Sequence, residues 1–348
     1  MSYHVYITVS AEGRIARFDM DENTGALSPR DDVALPGRPA PVALSPDRRT
    51  MHVARRTDNK ITSFWIDPAS GALTALGTIP IETDPCYMAM DQTGRYLLSA
   101  YYLGETAAVH GVGDDGAAVY PPVEWLHTGR GAHCFQTDRS NKFAFVPHID
   151  GNGALNAILQ FRFDETTGRI TPNDPAQVAQ PDFTGPRHFC FHPTRDLVYA
   201  SNEQGCSVSV YAFDATNGTL EQLQTISTLP DDWSGENKCA QIQITPCGRF
   251  LYAPNRGHHS IAEFKVDSET GRLTALGHVA AEPVPRAFSI DPAGKFLLSA
   301  GLTSGKLITF SINGDSDDGE TGRLTKVATR DIGDEPMWVT IIPAIPAA

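Results

Sequence analysis

Apolar residues between Pro41 and Pro80 fall into four short runs separated by turns. Pro41-Val-Ala-Leu-Ser-Pro-Asp47 is an apolar run that ends in a turn, and Thr50-Met-His-Val-Ala54 is the second run. Lys60-Ile-Thr-Ser-Phe-Trp-Ile-Asp67 alternates apolar and polar residues, the period of a strand with one buried face. Leu73-Thr-Ala-Leu-Gly-Thr-Ile-Pro80 is the fourth run, after a turn that carries Gly71, where positive φ is expected. The pattern predicts four antiparallel strands joined by tight turns.

This unit repeats. Asp67-Pro-Ala-Ser-Gly71-Ala-Leu73 recurs as Asp164-Glu-Thr-Thr-Gly168-Arg-Ile170, Asp214-Ala-Thr-Asn-Gly218-Thr-Leu220 and Asp267-Ser-Glu-Thr-Gly271-Arg-Leu273. Looser copies lie between Asp19 and Leu27, around Gly116 and at Glu320-Thr-Gly322-Arg-Leu324. The marker glycines recur about every fifty residues, which makes seven units. Short strands at that period mean a β-propeller. A second signature fills the turn between the first and second runs, as in Asp91-Gln-Thr-Gly-Arg95, Thr245-Pro-Cys-Gly-Arg249 and Asp291-Pro-Ala-Gly-Lys295. One copy is lacking where the ring is cut. The chain begins in a second-type strand, Tyr3-His-Val-Tyr-Ile-Thr-Val9, and ends in a first-type strand, Pro336-Met-Trp-Val-Thr-Ile-Ile342. The expected fold is all-β: a seven-bladed β-propeller of four-stranded antiparallel blades, closed by N- and C-terminal strands that share one blade. Seven units consume all 348 residues, so one domain over 1–348 is expected.

Composition narrows the partners. The formal net charge of −13 disfavours nonspecific binding to nucleic acid or an anionic membrane surface. No signal peptide and no transmembrane run are seen in the sequence, and a cytoplasmic location is expected. The six cysteines, Cys86, Cys134, Cys190, Cys206, Cys239 and Cys247, include no C-x-x-C pair and read as reduced thiols. No metal site and no cofactor are expected: adjacent His258 and His259 on a strand end would point in opposite directions. Gly111-Val-Gly113 lacks a following helix and supports no phosphate loop. His192 reads as a structural turn residue. Irregular inserts at Gly151–Leu155, Pro181–Gly185, Pro230–Lys238 and Asn313–Gly319 are loops, and Asp231–Glu236 is the one expected to overhang a site.

A propeller binds ligands at the mouth of its channel. There the starts of first strands meet the ends of second strands. Aligned through the repeated turn, the second-strand ends are Arg55, Tyr101, His148, Asn202, Asn255 and Gly301, each followed by Arg56, Tyr102, Ile149, Glu203, Arg256 or Leu302. First-strand starts add His133, Arg187 with His188, and Arg286. The columns collect arginines and histidines around one glutamate in an acidic chain. That pattern suits a carboxylate or phosphate gripped by guanidinium forks. Glu203 is a candidate base, and His133 or His148 could move a proton near neutral pH.

These residues carry a resemblance. Gly185-Pro-Arg-His188, Phe191-His-Pro193, Tyr199-Ala-Ser-Asn-Glu203, Arg249-Phe-Leu-Tyr-Ala-Pro-Asn-Arg-Gly257 and Pro285-Arg-Ala-Phe288 resemble hallmarks of the lactonase seven-bladed propeller family. The likeness spans essentially the whole chain. That family includes propeller-type 6-phosphogluconolactonases and fungal 3-carboxy-cis,cis-muconate lactonizing enzymes. By motif, the resemblance implies His133, Arg187, Glu203 and Arg256 as catalytic residues. The remaining column residues, Arg55, Arg56, Tyr101, His148, His188, Asn202, Asn255 and Arg286, are candidate substrate contacts. Two stretches depart from the family pattern: Gly131-Ala-His133-Cys134 has one histidine where a pair is usual, and Pro147-His-Ile-Asp150 replaces Pro-Asp-Leu-Gly.

The leading expectation is a metal-independent hydrolase of a carboxylated or phosphorylated lactone, similar to 6-phosphogluconolactonase. The alternatives are a cycloisomerase that closes a lactone from an unsaturated diacid, and a noncatalytic propeller scaffold. A calcium-dependent gluconolactonase type would need an oxygen cage, against which the arginines argue. Sequence leaves hydrolysis against cyclisation, the substrate and the base open. With no free sheet edges, a monomer is expected.

Overall fold

The computed structural model describes residues 2–314 and 321–345. The end of the Asn313–Gly319 insert and Glu320 of the last turn copy lie outside them. Among the described residues, twenty-eight strands form seven four-stranded antiparallel sheets. The first holds β1 (Ser2–Val9), β2 (Arg14–Asp21) and β3 (Leu27–Ala34). Next come β4 (Pro39–Leu44), β5 (Thr50–Arg55), β6 (Lys60–Ile66) and β7 (Leu73–Pro80). The third sheet is β8 (Tyr87–Met90), β9 (Tyr96–Tyr101), β10 (Thr106–Gly111) and β11 (Glu124–His127). The fourth is β12 (Gln136–Thr137), β13 (Phe143–His148), β14 (Ala157–Phe163) and β15 (Ile170–Ala179). The fifth is β16 (Pro186–Phe191), β17 (Leu197–Asn202), β18 (Ser207–Asp214) and β19 (Thr219–Ser227). The sixth is β20 (Gln243–Ile244), β21 (Phe250–Asn255), β22 (Ser260–Val266) and β23 (Leu273–Ala280). The seventh is β24 (Pro285–Ile290), β25 (Phe296–Gly301), β26 (Lys306–Ile312) and β27 (Leu324–Asp331). The last strand, β28 (Pro336–Pro343), pairs antiparallel with β1 and completes the first sheet, as its first-type sequence predicts.

Both repeated turns have a chemical cause. In the turn between third and fourth strands, the Asp214 carboxylate accepts from the backbone N–H groups of Thr216 (2.8 Å) and Asn217 (3.1 Å) and from the Asn217 amide (2.7 Å). Gly218 then closes the turn by donating its N–H to the Asp214 carbonyl. Asp67, Asp164 and Asp267 hold their turns the same way. Such a carboxylate replaces a missing backbone acceptor. In the first-to-second-strand turn, Asp91, Asp138 and Asp291 accept the N–H of Tyr96, Phe143 and Phe296. His192 occupies the same place and accepts from Thr194 and Arg195 through Nδ1, which is the structural role expected of it.

The marker glycine does more than turn the chain. Gly218 has φ of +71°, and a Cβ there would overlap the Phe143 ring. Phe143 opens β13 in the preceding sheet and lies edge-on to Phe213. Gly168 meets Tyr96, Gly271 meets Leu197, Gly322 meets Phe250 and Gly25 meets Phe296 in the same manner. The fifty-residue repeat therefore encodes sheet-on-sheet packing, with the residue after one turn seated on the glycine of the other. Gly218→Ala adds left-handed backbone strain to overpacking of a ring that has nowhere to move. We expect a loss of about 3 kcal/mol, read as a lowered urea midpoint at unchanged m-value.

β9, β13, β17, β21 and β25 are buried along their full length, hence their mostly apolar sequences. The fourth strands face solvent over much of their length. Contacts cluster in two compact units. One holds the chain to Ala34, His188–Ala212 and Glu221–Ala344; the other holds Leu35–Arg187 and Phe213–Leu220. Three of their borders fall inside β16, β18 and β19. The first unit has apolar clusters around Val5, Val9 and Leu298, around Tyr199 and Phe264, and around Phe288 and Phe310. The second has clusters around Phe135 and Val146, and around Ala54 and Leu97. No helix among the described residues is long and apolar enough to cross a membrane.

Candidate active site

The second strands β5, β9, β13, β17, β21 and β25 end at Arg55, Tyr101, His148, Asn202, Asn255 and Gly301, the column drawn from the turns. Within sheets the ends meet first-strand starts as expected: Pro39 faces Arg55, Ala132 faces His148, Cys239 faces Asn255 and Pro285 faces Gly301. Strand alternation then separates each column residue from its successor. The consequences differ from sheet to sheet.

In the first unit, Glu203 follows β17 and Arg256 follows β21. The Arg256 guanidinium lies 2.9 Å from the Glu203 carboxylate, with side-chain exposures of 15% and 8%. Arg256 is aimed by two carbonyls: Nη2 donates to Cys239 O at 2.9 Å and Nε to Lys238 O at 3.3 Å. The backbone links the same strands, since Cys239 N–H donates to the Glu203 carbonyl and Arg256 N–H to Lys238 O. A carboxylate almost wholly buried and held by an oriented guanidinium can polarise water, and the guanidinium can bind an anion.

The Pro230–Lys238 insert packs beside this pair. Trp233 stands edge-on to His258 with ring centroids 4.6 Å apart, and His258 meets His278 in turn. Asn237 Oδ1 accepts the N–H groups of Gly257 (2.8 Å) and His258 (3.1 Å). Gly257 is required there because a Cβ would collide with the Glu236 carbonyl. A cavity of about 530 Å³ results, lined by Glu236, Asn237, Lys238, Arg256, Gly257 and Val284. Sequence reading named this insert as overhanging but missed Lys238 and Asn237. They stand outside the repeat register, so no column could find them. His258 and His259 face different partners, Ser260 and Val284. Among the described residues no group of three or more His, Cys, Asp or Glu is arranged to hold a metal ion.

The two asparagine candidates in this unit lie inside their sheets. Asn202 is fully buried and donates to Ser207 and Ser209, each at 2.9 Å. Asn255 is fully buried, donates to the Thr228 carbonyl and accepts from Thr228 and Asn237. Their amides are committed to protein partners. Buried His188 tilts against Trp338 at 6.3 Å. Arg286 lies at a bulge between Pro285 and Ala287, a device that re-aims a side chain.

In the second unit, His133 is 6% exposed and stacks on Tyr102, centroids 5.7 Å apart and planes 29° apart. Tyr101 points the other way: it is buried, accepts from Ser99 at 3.0 Å and packs against Trp125. Of Tyr101, which ends β9, and Tyr102, which follows it, the histidine's companion is thus Tyr102. His148 is buried with Nδ1 at 3.0 Å from the Val146 carbonyl, and burial pushes its imidazole down to about 4. It is therefore neutral at pH 7, a poor fit to the proton-moving role expected of it. Arg187, second residue of β16, is 2% exposed. Arg55 pairs with Asp58 and donates to the Pro36 carbonyl. Arg56 grips Asp84 through Nε (2.9 Å) and Nη2 (2.6 Å). These two arginines have carboxylate partners that the column, which surveys strand ends alone, does not include.

The family model of the lactonase, seven-bladed beta-propeller matches residues 4–341. The chain belongs to this family. Its seven four-stranded sheets are the propeller's blades. It is 33% identical over 318 residues to a 6-phosphogluconolactonase of Pectobacterium carotovorum, covering 91% of this chain and 92% of that one. It is 32% identical over 342 residues to a 6-phosphogluconolactonase of Serratia proteamaculans, covering 98% and 99%. Among solved structures it is similar to a periplasmic gluconolactonase of Pseudomonas aeruginosa, with a TM-score of 0.89 and 25% identity over 99% of this chain and 100% of that one.

Proposed function

We propose that this lactonase-family chain hydrolyses a sugar lactone bearing a second, anionic group, in the manner of the 6-phosphogluconolactonases it resembles. The observation that carries this is the Glu203–Arg256 pair, whose arginine lines a cavity that also holds Lys238. In this scheme Glu203 takes a proton from a water as its oxygen attacks the lactone carbonyl. Arg256 stabilises the oxyanion that forms, the term that commonly dominates such reactions. Ring opening expels the alkoxide, which takes the proton back from Glu203, and the carboxylic acid left behind gives its own proton to solvent. His133 and Arg187 enter by family motif, and each is tested by its own variant, His133→Asn and Arg187→Met.

The test is a pH-indicator assay, because each lactone opened releases one acid group. Acid release from phosphorylated or carboxylated sugar lactones, faster than from neutral ones, is the expected outcome. Silence across the panel would overturn the proposal. Lys238 gives a sharper check. Lys238→Ala is expected to raise KM for a phosphorylated lactone about tenfold, the size of one lost charge-assisted hydrogen bond. Its kcat and its KM for a neutral lactone should barely change.

A further inference from the structure

Two cysteines brace the Glu203–Arg256 pair from behind. Cys206 lies three residues beyond Glu203, in a left-handed turn at φ of 47°. Its sulfur approaches the Asn237 carbonyl at 3.3 Å and the Asn237 amide at 3.4 Å. Cys239 is fully buried; its sulfur meets Thr228 Oγ1 at 3.1 Å and Asn255 Oδ1 at 3.8 Å. The two sites share their neighbours. Asn237 and the Thr228 hydroxyl both donate to Asn255 Oδ1, and the Thr228 N–H donates to the Cys206 carbonyl. The Cys206 sulfur also lies 4.0 Å from the Glu203 carbonyl, the same carbonyl that accepts the Cys239 N–H.

We propose that Cys206 and Cys239 are an oxidisable dithiol, and that a low-molecular-weight disulfide converts them to an intrachain disulfide that shifts Arg256 off Glu203. Cys206 is the partly exposed member and the natural point of attack. Contacts with Cys239 and Asn237 and the nearness of Arg256 outweigh burial and bring its thiol down to about 7, while Cys239 is pushed up. A thiolate near ambient pH is the better nucleophile. The Cys206 thiolate attacks one sulfur of the reagent, whose S–S bond breaks and whose other half leaves as a thiol after taking a proton. The Cys239 sulfur then attacks Cys206 in the mixed disulfide, giving up its proton to the second thiol released. Two protein thiols are oxidised and one small disulfide is reduced to two thiols.

Closure reaches the ion pair through short links. A disulfide holds its sulfurs about 2 Å apart, so each must leave its present hydrogen-bond partners. Cys206 would release Asn237, whose Oδ1 holds Gly257 and His258, the residues that follow Arg256. Cys239 would move the carbonyl that receives Arg256 Nη2.

The experiment treats reduced full-length protein with oxidised glutathione, then combines peptide mapping, lactone hydrolysis and hydrogen exchange over residues 230–258. Expected are a Cys206–Cys239 linked peptide, a rate at least about tenfold below the untreated rate, faster exchange in 230–258, and recovery with dithiothreitol. In Cys206→Ser the treated and untreated rates should match and no linked peptide should form. In Cys239→Ala the reaction should stop at one glutathionyl group on Cys206. Failure of the linkage at saturating oxidant overturns the proposal, as does linkage with unchanged exchange and rate. Linkage and exchange do not depend on turnover. If the reduced protein hydrolyses no lactone, the proposed function fails while these two measurements still decide the dithiol.

Discussion

Glu203→Gln is expected to lower kcat/KM for lactone hydrolysis by about 10²- to 10⁴-fold, the usual contribution of a positioned general base. The amide keeps the shape of the carboxylate and can still accept from Arg256, so the thermal midpoint should fall by only a few degrees. Arg256→Met should cost a similar factor by removing both the partner of Glu203 and the donor toward the oxyanion. The contrast is Asn202→Ala, one residue before Glu203. Asn202 is buried and holds Ser207 and Ser209, so its loss should reduce stability by about 1–3 kcal/mol with KM little changed. Steady-state kinetics and urea melts on the three variants check this. Near-normal turnover in Glu203→Gln would remove Glu203 from the mechanism.

Acid should unfold this protein earlier than its surface carboxylates require. His52, His110 and His148 are fully buried and each is pushed down to about 4, in every case chiefly by burial. His52 is lowered further by neighbouring His110. In the unfolded chain these rings titrate near 6.5. Between pH 6.5 and 4 the unfolded chain therefore binds more protons, and stability falls as pH falls through that window. Below about 4 the folded rings protonate too, and their contribution to the slope ends. Each histidine should cost about 2 kcal/mol between pH 6.5 and 5. Turn carboxylates such as Asp164, Asp214 and Asp267 are held below their usual range by hydrogen bonds from their own turns. Their support is lost only in more acid solution, as pH falls through those lowered values, so the two windows are separable. Urea midpoints at pH 7 and pH 5 measure the effect. His52→Gln should flatten the slope by about 1.4 kcal/mol per pH unit. Equal midpoints at the two pH values in the parent protein would contradict the assignment.

What could be read without coordinates follows from what kind of interaction was local. The turn aspartates and glycines act on residues two to five positions away, and their spacing gave the sheets, the shared first sheet and the second-strand ends. Glu203 and Arg256 were found because each directly follows such an end, in strands whose register is set by those turns. Tyr101 and Tyr102 show where position at a strand end does not decide a side chain's direction. Both fall at the strand end, yet only Tyr102 reaches His133, because one step along a strand reverses the side chain.

By itself the sequence determined the number of blades, the strand order within them and the residues at their ends, since short-range hydrogen bonds and a two-residue period carry that information. Tertiary structure alone decided which charges pair and which side chains are sealed in. Arg55 and Arg56 found Asp58 and Asp84, Arg256 found Glu203, and the Pro230–Lys238 insert supplied Lys238 and Asn237 to the cavity. A charge is partnered by whatever neighbouring segments bring within about 4 Å, and a thiol or imidazole is tuned by burial. Neither quantity is written in the repeat; both arise when separate segments fold against one another.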